Sequence, residues 1–79
     1  MNITLNGQPT QLTQKNPTVK DAIETTLNKK LNPDGTFNDG TKAGIAAALG
    51  TTIIKRSEWA TTPLTENDTL DIITAVQGG

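Results

Sequence analysis

Seventy-nine residues with 17 Leu, Ile, Val or Phe side chains, roughly 22% of the chain, suffice for one small core and no second domain. The formal net charge of −1 removes the self-repulsion that keeps charged chains unfolded. The sequence has neither His nor Cys, which excludes zinc fingers, Cys or His nucleophiles, His bases, thiol redox chemistry and disulfides.

A pI near 5.1 without a basic block argues against binding nucleic acid by phosphate neutralisation. No apolar run approaches the ~18 residues of a membrane span. The start, Met1-Asn2-Ile3-Thr4-Leu5-Asn6, lacks the basic-then-apolar pattern of a signal peptide. The expectation is a soluble cytoplasmic domain.

In chain order, Met1, Ile3 and Leu5 alternate with Asn2, Thr4 and Asn6, the period of a half-buried strand. Asn6-Gly7 tolerates the positive φ of a type I′ turn, so Gln8 to Thr13 returns as a second strand. Pro9 lacks an N–H and places that strand at a sheet edge. Thr18 caps a helix, with Asp21 completing a short capping box. Val19, Ala22, Ile23, Thr26, Leu27 and Leu31 form its apolar face, Lys29 and Lys30 fall in its last turn, and Asn32-Pro33 stops it.

Asn32 to Gly40 is turn-forming and rich in oxygen ligands, which invites a calcium-loop reading. With Asp34 as first ligand, Asp39 falls where Gly is needed and Ile45 where a bidentate Glu is needed, so the spacing fails. A surface loop with Phe37 tucked against the domain edge is the reading instead. Lys42 to Leu49 has helix-favouring alanines, but Gly44, its shortness and the flanking turns predict a strand with Ile45, Ala47 and Leu49 on one side. Gly50-Thr51 turns into Thr52–Arg56, and Ser57–Ala60 is irregular. Leu64–Asp68 supplies a turn before the last strand, Thr69–Val76. That strand puts Leu70, Ile72, Thr74 and Val76 on one face and Asp71, Ile73 and Ala75 on the other, which predicts a central strand with cover on both sides.

The sequence closes on Gln77-Gly78-Gly79. At ~7% Gly usage a terminal pair arises by chance in about one chain in 200. Gly-Gly threads a channel too narrow for any other residue, and the three residues reach about 10 Å at ~3.3–3.6 Å each. They present an α-carboxylate with pKa ≈ 3.3–3.7, ionised at neutral pH and a poor electrophile until activated. Attack on ATP within a partner's active site would turn that carboxylate into an acyl donor. The chain has no phosphate-cradling loop or metal site for that step, so it is the substrate and not the enzyme.

Arg56-Ser57-Glu58-Trp59-Ala60-Thr61-Thr62, Leu64, Asp68, Leu70-Asp71-Ile72-Ile73 and Ala75-Val76-Gln77-Gly78-Gly79 together resemble the sulfur carrier proteins of thiamin biosynthesis. The match runs in order along the whole chain. The resemblance implies an α+β, ubiquitin-like β-grasp fold: a mixed five-stranded sheet over one main helix, with the last strand parallel to the first. It implies a domain over residues 1–76 and a flexible tail over 77–79.

The chemistry implied is a cycle. A partner related to ubiquitin-activating enzymes adenylates Gly79 with ATP and Mg²⁺, neither held permanently by the carrier. Sulfur from a cysteine desulfurase replaces AMP and leaves a thiocarboxylate, and thiazole synthase takes that sulfur. Gln77 and Gly78 would thread the partners' active sites. Arg56, Trp59 and Val76 are candidate partner contacts, against a core-covering role for Trp59 and local ion-pair or capping roles for Arg56 and Glu58.

Two departures from the family stand out: extra length at Leu31–Thr41, and Lys55 where Pro is common. The alternatives are the small subunit of molybdopterin synthase, with the same tail chemistry and a pterin acceptor, a protein-conjugating modifier, and a plain β-grasp binding module.

Overall fold

A computed structural model describes residues 1–41 and 44–75. The alternating N-terminal residues form strand β1 (Asn2–Leu5), which pairs antiparallel with β2 (Gln8–Gln11). Leu5 faces Gln8 across a two-residue turn, and Asn6 and Gly7 both hold positive φ (52° and 79°), the combination a type I′ turn requires. β2 lies at the sheet edge, where Pro9 breaks no ladder. It stops at Gln11, short of the expected Thr13, and Leu12 turns into the core with its N–H on the Met1 carbonyl.

Helix α1 (Val19–Leu27) begins at the expected box. The Thr18 N–H donates to Asp21 Oδ2 at 2.8 Å, and the Asp21 N–H donates to Thr18 Oγ1 at 3.4 Å. Val19, Ala22 and Ile23 are fully buried against the sheet. The far end corrects the sequence reading. Asn28 adopts the left-handed conformation (φ 54°, ψ 43°) and ends the helix, leaving Lys29, Lys30 and Leu31 beyond its last turn. Leu31 turns away, donates its N–H to Glu24 Oε2 at 2.7 Å and bridges to Phe37. The pull is hydrophobic: Leu31 and Phe37 are both buried, which one more helical turn would not achieve.

Strands β3 (Gly44–Leu49) and β4 (Thr52–Ile54) form the second hairpin, with Gly50 at φ 61°. The stretch read as irregular, Ser57–Ala60, lies within a 3-10 helix, Arg56–Thr61, which also claims Arg56 from the strand expected over Thr52–Arg56, and β4 ends at Ile54. Strand β5 (Thr69–Ala75) lies parallel to β1 and antiparallel to β3, in the sheet order β2-β1-β5-β3-β4. Ile3, Leu5, Ala47, Leu70 and Ile72 meet the helix on one face.

β5 is central, as expected, but it is not covered on both sides. Ile73 is 59% exposed and Asp71 is exposed, because the one long helix shields a single face of the sheet and no described element lies over the other.

Candidate functional site

Val76, Gln77, Gly78 and Gly79 lie outside the described residues, so the structure bears on the tail through the strand that leads to it. β5 occupies the middle of the sheet, and its last described residue, Ala75, stands opposite Gly44. Four residues of sequence join that point to the Gly79 carboxylate.

Beside this exit lies the open face of the sheet. Ile73 of β5 stands opposite Ala46 of β3, and Ile53 of β4 opposite Ala48. Ile53 is 66% exposed, and these two isoleucines are the large exposed apolar side chains among the described residues. Methyl groups on Ala46 and Ala48 leave both rising from a low surface. Sequence reasoning missed this pair as site residues. The signal was present: the alternation set Ile73 against the core face, and only one amphipathic helix was available to cover a sheet face.

The candidate contacts at residues 56–59 are elsewhere and differ in kind. Trp59 is 1% exposed and donates its indole N–H to the Ile54 carbonyl at 3.0 Å, so its ring serves the core and offers no surface to a partner. Arg56, half-buried, lays its guanidinium 4.9 Å from the centre of that ring and donates Nη1–H to the Gly35 carbonyl at 2.7 Å. Glu58 is exposed in the first turn of the 3-10 helix, and its carbonyl accepts from the Thr62 hydroxyl at 2.7 Å.

The long Leu31–Thr41 loop thus has a structural partner. It doubles back on itself, with Asn32 N–H on the Thr36 carbonyl, Asn38 N–H on the Lys30 carbonyl and the Asn32 and Asn38 side chains joined at 3.0 Å. Its tip, Gly35 at φ 88°, sits so close to Arg56 that an added Cβ would fall 2.6 Å from the Arg56 carbonyl oxygen. Hydrogen bonds from the Thr36 hydroxyl and N–H hold the Asp34 carboxyl below its usual range. The Lys29 ammonium, 2.8 Å away, and the Thr41 hydroxyl and N–H hold Asp39 far below it. A depressed carboxyl contributes stability above its unfolded pKa of about 3.9 and loses it as pH falls through the folded value. The contribution of this ion pair is therefore present at neutral pH and declines as pH falls below the ordinary carboxylate range.

These carboxylates are tied up within the loop. Among the described residues no group of three acidic, His or Cys side chains is placed to hold a metal ion. No helix among them is long and apolar enough to cross a membrane.

The model of the ThiS family matches residues 3–79, nearly the whole chain and the terminal glycines with it. The chain belongs to the ThiS family. The crystal structure of the thiamine biosynthesis protein ThiS from Geobacter metallireducens superposes with a TM-score of 0.63 at 16% identity, covering 100% of both chains. That likeness shows the fold, the ubiquitin-like β-grasp. No curated protein matches the chain. ThiS proteins are small sulfur carriers rather than catalysts, and they work with activating enzymes and sulfur-transfer partners.

Proposed function

We propose that this ThiS-family chain carries sulfur as a thiocarboxylate on Gly79 and delivers it to thiazole synthase for the thiazole ring of thiamin, in the cytoplasm. The observation that carries the reading is that the family match runs through residue 79, so Gln77-Gly78-Gly79 falls inside the family's own pattern.

In the activation step a Gly79 carboxylate oxygen bonds to the α-phosphorus of ATP and pyrophosphate leaves. ATP and Mg²⁺ belong to the activating partner. A sulfur nucleophile originating from a cysteine desulfurase then bonds to the carbonyl carbon as AMP departs. The chain contributes reach and slenderness: Gly78 and Gly79 present no side chain to a narrow channel. The activating enzyme docks on the open face of the sheet, with Ile53 and Ile73 as its apolar anchors, because β5 borders that face and runs in sequence to the group being activated.

The test is the intact mass after incubation with ATP, Mg²⁺, a sulfur source and the activating enzyme, for the full chain and for a chain lacking Gly79. The expected result is an oxygen-to-sulfur gain in the full chain alone. No gain, with an enzyme proven active on another carrier, refutes the reading. Binding of the sulfur-loaded chain to a pterin-forming synthase in preference to thiazole synthase refutes the acceptor.

A further inference from the structure

The parallel pairing of β1 with β5 is short, and the way it ends leaves main-chain groups unused. β1 matches β5 only at Thr4 with Thr69 and Leu5 with Leu70. The Thr4 N–H donates to the Asp68 carbonyl at 2.8 Å and the Asn6 N–H to the Leu70 carbonyl at 3.0 Å. In a regular parallel ladder the Ile72 N–H would next donate to the Asn6 carbonyl. Here Asn6 has already turned into the hairpin at φ 52°, and its side-chain Oδ1 takes that N–H instead, at 2.7 Å. The carboxamide substitutes for the backbone carbonyl that the turn removed. It is the last rung.

Among the described residues nothing pairs with the rest of β5 on that side. Gly50, opposite Thr69 in the β3 register, donates its N–H to the Thr69 carbonyl at 2.8 Å. Odd-numbered residues of β5 therefore turn their main-chain groups toward β3, and even-numbered ones toward β1. Beyond the Asn6 rung, the Ile72 carbonyl and the N–H and carbonyl of Thr74 face the β1 side with no partner among the described residues. Proteins protect sheet edges with Pro, with charge or by keeping them short. β2 carries Pro9 and β4 has three residues, whereas Ile72-Ile73-Thr74 carries neither Pro nor charge. Both Ile73 and Thr74 are exposed.

We propose that this edge of β5, from Ile72 to Thr74, is a strand-addition site for an extended segment of the enzyme that activates Gly79. The inference rests on the carrier reading above and adds the means of engagement. Strand addition draws affinity from main-chain hydrogen bonds. It also sets the bound segment alongside the strand that leads in sequence to the carboxylate. The occupant follows from continuity: whatever activates Gly79 must lie within five residues of this edge.

The experiment is synthesis of the full chain with the Thr74 nitrogen methylated, which removes that donor and blocks an incoming strand while sparing every bond to β3. A second chain carries the same methyl at Gln11, whose N–H faces outward from β2, as a control. We expect the Thr74 methyl to weaken binding to the activating enzyme about tenfold, with the sheet circular dichroism and Tm unchanged, and the Gln11 methyl to have no effect. Independently, in the unmodified complex the Thr74 amide hydrogen becomes protected from exchange. If the unmodified chain is activated, as followed by pyrophosphate release, and neither the affinity loss nor the protection is seen, the edge inference falls alone. If the unmodified chain is never activated, the carrier reading falls with it.

Discussion

The surroundings of Trp59 and those of Ile73 are built from similar materials and finished in opposite ways. At Trp59 an aromatic ring is closed over by Arg56, and Arg56 is itself fastened by the Gly35 carbonyl at the tip of a long loop. At Ile73 an aliphatic side chain of the central strand is left 59% exposed, beside a strand edge whose main-chain groups have no partner among the described residues. A domain of this size has little apolar surface to spare. It concentrates sealing where the core would otherwise leak, and leaves uncovered the region that leads in sequence to the terminal glycines. The difference implies that substitutions near Trp59 change stability and those near Ile73 change binding.

The strongest way to break that division is Trp59→Ala. Loss of a buried indole costs about 3–5 kcal/mol, out of the roughly 4–12 kcal/mol expected for a chain this long. The midpoint of urea unfolding should fall sharply. A variant that unfolds like the parent would show that the ring is not part of the core. Next is Gly35→Ala. Its φ of 88° and the Arg56 carbonyl 2.6 Å from the new Cβ leave the methyl no room. Holding a non-glycine residue there costs about 1–3 kcal/mol. Arg56 should lift from the indole, which a shift in Trp59 fluorescence would report.

Much of the fold could be read in advance where a local rule acted alone. Asn6-Gly7 demanded a tight hairpin, Thr18 with Asp21 a helix start, and Pro9 an edge, and each stands where its own chemistry put it. The misreadings came where a distant partner decided. Leu31 continues the helical period, yet Phe37 draws it out of the helix. Ile73 has the composition of a covered strand, yet no described element covers it. Of the proposed site, the terminal glycines stand out by residue type alone and lie outside the described residues, whereas the Asn6 rung and the β5 edge depend on register, which periodicity does not supply.

Lys55 offers a smaller and opposite effect. The resemblance marked this position as one where Pro is common, and the backbone already accommodates it. Lys55 has φ −64° and ψ 145°, Ile54 before it is extended, and the β3–β4 register turns the Lys55 N–H outward. Lys55→Pro should stabilise by about 0.4–1 kcal/mol, chiefly by restricting the unfolded chain, seen as a Tm higher by a few degrees. A lower Tm would mean that this N–H has a role in the fold.

The smallest effect on stability carries the most about function. Ile73→Ser and Ile53→Ser act on exposed side chains, and surface changes of this kind stay within about 0.5 kcal/mol. Against the activating enzyme each should weaken binding about fivefold or more, close to 1 kcal/mol, the level at which a contact counts as an anchor. The two should be less than additive if one partner surface spans both, since Ile53 and Ile73 stand opposite Ala48 and Ala46 of the same intervening strand. Full additivity would assign them to separate contacts. A stability loss like that of Trp59→Ala, with binding intact once folded, would erase the distinction between the sealed and the open regions.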